Sequence, residues 1–287
     1  MVGAIAADLS GRTCLVTGAS SGIGKQTALE LARLGARVVL ACRSAERGAA
    51  AQSEIVSATG NSAIEVLLVD LADPGSIRGS ASAFLETDQA LHVLVNNAGI
   101  WSTRRRLSRD GLELTWATNV LGYFLLTELL LERLKRSAPA RIVNVASERA
   151  GELDLSDVQF ERRPYSGVSA YSQSKQADRM WTWALARRLE GSRVTANALH
   201  PGMVRTSIFR KGGGLLGPVA VIYSRLFGLS VPEGADTVTW LAASPEVEGV
   251  SGRFWSRRKE RACRFRDPQA EEKLWQLCTS MTAGSRT

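Results

Sequence analysis

Histidine and cysteine are scarce in this chain, and each scarcity removes a class of chemistry. Its 287 residues include two histidines, His92 and His200, and four cysteines, Cys14, Cys42, Cys263 and Cys278. None falls at the close spacings that build zinc sites, so no metal centre is expected. Cys14 and Cys42 lie inside apolar runs, where a free cysteine behaves as a small hydrophobe. A disulfide framework is not expected, and a reducing compartment fits. No run of about 18 uncharged apolar residues occurs ahead of residue 212, which argues against a membrane-spanning helix in that part. The stretch Met1–Ala7 is too short for a secretory leader and lacks its positive flank, so the expected location is cytoplasmic. No Pro/Ser/Gly tract and no fixed-period repeat divides the chain. Residues 1–287 therefore read as one domain, with a C-terminal extension over 253–287.

Negative charge is also in short supply. The 36 basic residues outnumber 28 acidic ones, for a net charge of +8. Much of the excess is local. Residues 253–266 carry Arg253, Arg257, Arg258, Lys259, Arg261, Arg264 and Arg266 against Glu260 alone, and Arg104, Arg105 and Arg106 form a second cluster. The first reading is a solvated face. Attraction to anionic substrates or to an anionic membrane surface is the second. No aromatic platform interleaves these charges, so no nucleic-acid partner is expected.

What is present is an alternation. Apolar runs at 13–17, 37–42, 64–69, 91–95, 141–145 and 194–199 alternate with helical patterns from Lys25 to about Gly35, over 45–58, 74–87 and 110–135, and from Tyr171 onward. Near-continuous apolar strands alternating with helices predict an α/β, doubly wound parallel sheet. Such sheets bind ligands at the carboxyl ends of their strands, near the topological switch point.

Gly18, Gly22 and Gly24 lie between the first strand and the first helix, where backbone N–H groups and the helix dipole can cradle a pyrophosphate. Ser20, Ser21 and Ile23 complete that loop. The second strand ends at Arg43. A carboxylate there would suit a ribose 2′-hydroxyl; an arginine suits a 2′-phosphate, so NADP(H) is expected over NAD. Ser44 adds a hydroxyl, and Lys25 is a nearby charge. Asp70, past the third strand, is placed to accept from an adenine amino group, or to serve as a cap or turn residue.

Tyr171 and Lys175 are four apart on a predicted helix and so share a face. A neighbouring ammonium favours a phenolate, which turns a weak acid into a usable general acid or base. Trp181 and Trp183, two apart, are expected to face differently, one into the core and the other toward an interface or pocket.

These elements together resemble the short-chain dehydrogenase/reductase family. The carriers are Thr17 through Gly24, Asp70-Leu71, Asn96-Asn97-Ala98-Gly99, Asn119, Ser147, Tyr171-x-x-x-Lys175 and Pro201-Gly202, in the family's order over about residues 11–250. Ala41-Cys42-Arg43, Tyr171 through Lys175, Ala186 through Gly191 and His200 through Thr206 are similar to its retinol dehydrogenase-like branch. The resemblance implies an alcohol dehydrogenase or carbonyl reductase with a catalytic tetrad of Asn119, Ser147, Tyr171 and Lys175. Tyr171 would exchange the proton, Ser147 would orient the reacting oxygen and Lys175 would contact the nicotinamide ribose. Asn119 would hold a backbone kink and a water. Leu71, Asn97, Ala98, Gly99, Pro201, Gly202, Val204 and Thr206 would line the cofactor, with Asn96–Gly99 bracing the sheet first. His200 reads as structural.

Residues 207–231 form an insertion with three consecutive glycines and a greasy continuation. A lid over an apolar pocket is the favoured reading, ahead of an interfacial helix in peripheral contact with a membrane. Either implies a hydrophobic carbonyl or alcohol substrate. The loop 148–169, with Leu153, Leu155, Val158 and Phe160, is expected to form the opposite wall, with Arg162 and Arg163 solvated. The rival readings are an NADPH-binding regulator and a membrane-surface protein, each with little turnover. A homo-oligomer is compatible with the resemblance.

Overall fold

The computed structural model describes residues 5–204, 228–263 and 265–283. The first half alternates as the apolar runs predict: β1 Thr13–Thr17, α1 Gly22–Arg33, β2 Arg37–Cys42, α2 Ala45–Thr59, β3 Ile64–Leu68, α3 Pro74–Glu86 and β4 Val93–Asn96. A helical run follows, made of α4 Leu114–Trp116, a π turn Ala117–Leu121 and α5 Gly122–Arg136. Then come β5 Ala140–Val145, α6 Gly167–Arg188, β6 Val194–His200, α7 Val231–Ala243, β7 Phe254–Ser256, β8 Lys259–Glu260 and α8 Pro268–Ala283.

The strand order is β3-β2-β1-β4-β5-β6-β7-β8. All pairs are parallel except β7–β8. The order reverses between β1 and β4, which puts the switch point at the carboxyl ends of these two strands. Two layers of side chains cover the sheet. One holds Phe84 of α3, Phe124 of α5, Trp181 of α6 and Leu274 of α8; the other holds Leu31 of α1, Ile55 of α2 and Trp240 of α7. Burial on both faces explains why β1, β2 and β4 are apolar without alternation.

Several polar side chains inside this core pair with one another. Asn96 Nδ2 donates to Thr127 Oγ1 (2.9 Å) and Asn144 Oδ1 (2.8 Å), and Asn144 Nδ2 donates to Thr182 Oγ1 (2.8 Å). These bonds tie β4 and β5 to α5 and α6. The run Leu114–Arg136 has the length and mean hydropathy to cross a membrane, but 78% of its most apolar window is buried inside the fold. It is the core helix that a two-layer cover requires.

Two expectations change. Residues 253–283 are not an appended tail: β7 pairs with β6 and α8 packs on α6. The basic cluster is a solvated face, as expected, with Arg253, Arg257, Lys259, Arg261 and Arg266 exposed, although several of its members have partners. Arg258 binds the Asp236 carboxylate, Arg253 binds Glu260 at 3.0 Å, and Arg266 lies 3.8 Å from Glu271 and over the Trp183 ring. Arg257 and Arg258 both take positive φ (53° and 56°), which forms the tight β7–β8 turn. Finally, Trp181 and Trp183 are both buried. Trp181 meets Phe124 edge-on, and Trp183 is roofed by the Arg266 guanidinium, so α8 and its approach cover the face that sequence spacing left open.

If α8 belongs to the main core, Leu274→Ala, at a fully buried position, should cost about 2–5 kcal/mol. Differential scanning calorimetry should then show one unfolding transition at lower temperature. A separate early transition with the main one unmoved would mean that α8 docks independently.

Candidate active site

The loop after β1 has the backbone that a phosphate cradle needs. Gly18 and Gly22 take φ of 67° and 59°, in the left-handed region that favours glycine. A Cβ on Gly24 would lie 2.4 Å from Asn97 Nδ2 and 2.6 Å from the Gly18 carbonyl oxygen, so only glycine lets the helix start so close to the sheet. α1 begins at Gly22, three residues ahead of the predicted start. Its N-cap Ser21 makes no side-chain hydrogen bond, which leaves the first-turn N–H groups open to an anion. Ser20, Ser21, Gly22 and Ile23 are partly exposed around this opening. Thr17 locks its far side: its Oγ1 accepts from the N–H groups of Asn97 (2.8 Å) and Ala98 (3.1 Å), and its carbonyl accepts from Asn97 Nδ2 (2.9 Å).

At the end of β2, the Arg43 side chain is 75% exposed and its Nη1 stands 3.9 Å from Asp70 Oδ2. Asp70 Oδ1 accepts from the Ala72 N–H at 3.0 Å, a turn role that leaves Oδ2 facing Arg43. Ser44 caps α2, its hydroxyl accepting from Arg47 N–H. Leu71 is buried against Gly122 at the start of α5. The Lys25 ammonium pairs with Glu54 of α2. These residues fit a dinucleotide, with open N–H groups for a pyrophosphate and an exposed guanidinium at the β2 end.

The four tetrad candidates come from three elements. Asn119 lies in the π turn between α4 and α5, where the extra residue per turn kinks the helix and aims the amide inward. Its Oδ1 accepts from Ile100 N–H (2.9 Å), and its Nδ2 donates to Ile100 O (3.0 Å) and Ser174 Oγ (3.1 Å). Ser174 Oγ in turn donates to the Tyr171 carbonyl at 2.8 Å, which joins the kink to the first turns of α6. Lys175 is 3% exposed; its Nζ donates to Val145 O (2.9 Å) and to Asp178 Oδ2 (2.8 Å). The ammonium lies 6.0 Å from the Tyr171 ring centre. A Cβ on Gly99 would sit 3.6 Å from Asn119 Oδ1 and 3.9 Å from Lys175 Nζ, so both side chains converge over Gly99 at the β4 end. Tyr171 is partly exposed above them. Ser147, just past β5, is buried; its Oγ accepts from Arg149 N–H at 3.1 Å, and its carbonyl accepts from Arg179.

Past β6, Gly202 takes φ 87° against Leu229, and Val204 bridges to Leu229. This bridge closes the base of the insertion. Thr206 and residues 207–227 lie outside the described residues. A recess of about 470 Å³ opens beside Ser147, lined by Glu148, Ala150, Arg179, Ala262, Cys263 and Phe265. One wall comes from the loop after β5, through Glu148 and Ala150. Val158 and Phe160 are buried in the fold, and Arg163 stacks on Phe160 and binds Gln173 at 2.5 Å instead of lying free in solvent. The other wall, at 262–265, was not foreseen.

Sequence reasoning also missed Asp178, Arg179 and Glu113. Asp178 is fully buried under Lys175, and burial pushes its carboxyl up to about 6 against the pull of the ammonium. Its i+3 spacing from Lys175 was readable; its depth was not. Arg179 holds the Ser147 carbonyl and stacks on Phe254. Glu113 caps α4 through the N–H groups of Thr115 and Trp116, which sets the entry to the π turn. His200 has its imidazole pushed down to about 4, chiefly by burial, with Glu148 at 3.5 Å opposing. No cluster of three or more His, Cys, Asp or Glu side chains able to hold a metal occurs among the described residues.

Comparison with known proteins gives this architecture its class. A family model described as short chain dehydrogenase matches residues 12–213. The chain belongs to the short-chain dehydrogenase family of oxidoreductases, and within it is retinol dehydrogenase-like. Mouse retinol dehydrogenase 12 is 42% identical over 94% of this chain and 85% of that protein. A putative uncharacterised protein from Mycobacterium paratuberculosis superposes with TM-score 0.77 at 33% identity, covering 96% of this chain and 95% of that one. A short chain dehydrogenase from Burkholderia cenocepacia, solved in complex with NADP, superposes with TM-score 0.67 at 30% identity, covering 86% and 96%.

The depressed His200 has a consequence for stability. A histidine that binds its proton less tightly when folded contributes stability that is fully present above about pH 6.5 and is lost as pH falls toward 4. By pH 4 the loss from this one group is about 3 kcal/mol. Urea unfolding at pH 7 and pH 4 should therefore show a smaller pH-dependent drop for His200→Gln than for the native chain.

Proposed function

We propose that this chain is an NADP(H)-dependent oxidoreductase that interconverts a hydrophobic ketone or aldehyde and its alcohol. The observation that carries the reading is the convergence of Asn119 and Lys175 over Gly99, one helical turn below Tyr171 and at the ends of β4 and β5. Bound NADPH supplies the hydride. In the reductive direction, charge grows on the carbonyl oxygen as its carbon is reduced. Tyr171 donates its hydroxyl proton to that oxygen, and the Ser147 hydroxyl stabilises the growing charge. Lys175 places a positive charge 6.0 Å from the Tyr171 ring centre and would contact the nicotinamide ribose. Asn119 holds the kink that sets α5 against α6. Oxidation runs the same path backward, with Tyr171 as base.

NADP(H) is favoured over NAD by the exposed Arg43 guanidinium at the end of β2, where a 2′-phosphate can receive a charge-assisted fork. The solved relative that holds NADP supports the same choice. The hydrophobic substrate is supported by the name of the curated relatives, since retinol is a long apolar alcohol.

Two variants test this reading. Tyr171→Phe should bind NADPH with native affinity, by quenching of protein fluorescence, and lose at least about 100-fold in kcat. Retained turnover would falsify the proton-transfer role. Arg43→Asp should lose about 10–100-fold in kcat/KM for NADPH, the worth of charge-assisted hydrogen bonds, while NADH changes little. Unchanged NADPH efficiency would remove the phosphate role.

A further inference from the structure

Lys175 is held from below by a carboxylate that none of the proposed steps uses. Asp178 Oδ2 accepts from Lys175 Nζ at 2.8 Å, and its Oδ1 lies 3.4 Å from the Trp181 indole nitrogen. Asp178 and Trp181 are fully buried, and Lys175 is nearly so. The ammonium has three N–H groups. One goes to the Val145 carbonyl and one to Asp178, which leaves one for the space over Gly99.

The surroundings make this the only charge pair at that depth among the described residues. The titratable groups facing Asp178 are Lys175 on α6, Tyr123 on α5 and Cys278 on α8, and Tyr171 faces the same Tyr123. Tyr123 and Cys278 are both pushed up, first by burial and then by the Asp178 charge, so both stay neutral at neutral pH. Lys175 also stands 5.3 Å from the centre of the Tyr123 ring. A buried ion pair of this kind is weak evidence for stability, because desolvation of both charges offsets their attraction. Its placement under the proton-transfer pair gives it a different use.

We propose that Asp178 is a positioning residue for the proton-transfer pair: its carboxylate fixes the Lys175 ammonium below the cofactor floor and offsets part of the positive charge that the Tyr171 phenol experiences. The inference rests on the function proposed above and deepens it. An ammonium acting alone would favour the phenolate strongly, whereas one neutralised at 2.8 Å acts more as an oriented dipole.

The test replaces the charge and keeps the shape. Asp178→Asn retains an oxygen that can accept from Lys175. Ultraviolet phenolate absorbance is titrated in the native chain and in Asp178→Asn, each with its Tyr171→Phe counterpart subtracted, so that the signal belongs to Tyr171 and needs no substrate. The Tyr171 midpoint in Asp178→Asn should fall below that of the native chain by on the order of one pH unit. The pH–rate profile of alcohol oxidation should move the same way, with KM for NADP unchanged. Coincident midpoints, or a loss of melting temperature with no movement of either profile, would show a merely structural carboxylate and overturn the proposal. If Asp178→Asn does not fold, Asp178→Ser, which leaves room for a water beside the ammonium, carries the same comparison. Should the native chain turn over no carbonyl at all, the proposed function falls, while the phenolate titration still decides the role of Asp178.

Discussion

β1, β4 and β5 are covered by helices on both faces, and this double burial governs where polar chemistry can stand. Inside the sheet, each polar side chain must find a partner or pay the desolvation penalty of an unmade bond. Asn96, Asn144, Thr127 and Thr182 meet that demand by bonding one another, and so fix β4 and β5 against α5 and α6. Only at the carboxyl ends do groups acquire a free side. Thr17, Asn97, Gly99, Val145 and Ser147 all lie there, and each either shapes the floor of the site or holds one of its side chains. The carboxyl ends are thus where polar groups of the sheet meet open space.

Much of this was legible in the sequence because the same burial writes it there. Strands covered on both faces are continuous apolar runs, so β1, β2 and β5 are recovered to within a residue. The glycine loop was legible because close approach excludes a Cβ, as Gly24 against Asn97 shows. The start of α1 was missed by three residues because glycine lowers helix propensity while the anion cradle requires it. The π turn at Ala117–Leu121 has no composition of its own; it exists because Asn119 must reach Ile100 and Ser174 together. The β7–β8 hairpin was hidden for a different reason. Its turn is made by Arg257 and Arg258 instead of Asn-Gly, and Arg258 is held in that conformation by Asp236, which is distant in sequence.

Charge was the least readable feature. A list of seven basic residues between 253 and 266 suggests a surface field. Folding assigns several of them individual partners: carboxylates for Arg253 and Arg258, and a tryptophan face for Arg266. Arg179 follows the same logic from within α6. It is buried against the Phe254 ring and donates to the Ser147 carbonyl, so a residue that sequence would leave to solvent steadies the end of β5. Net charge describes how the chain meets other molecules at a distance. It says little about arginines that have become structural fasteners.

The C-terminal helix joins these strands of argument. As sequence it reads as an extension beyond the nucleotide-binding pattern. In the fold, Leu274 and Cys278 of α8 are fully buried, and Cys278 feels the Asp178 charge. α8 therefore closes the chamber in which Lys175 and Asp178 meet. Without that cover, water would screen the pair, and an ion pair in water exerts little influence at the distance of a neighbouring phenol. With it, the local dielectric is low and the charge on one side chain reaches the next. The segment furthest along the chain from the glycine loop thus covers the buried Lys175–Asp178 pair.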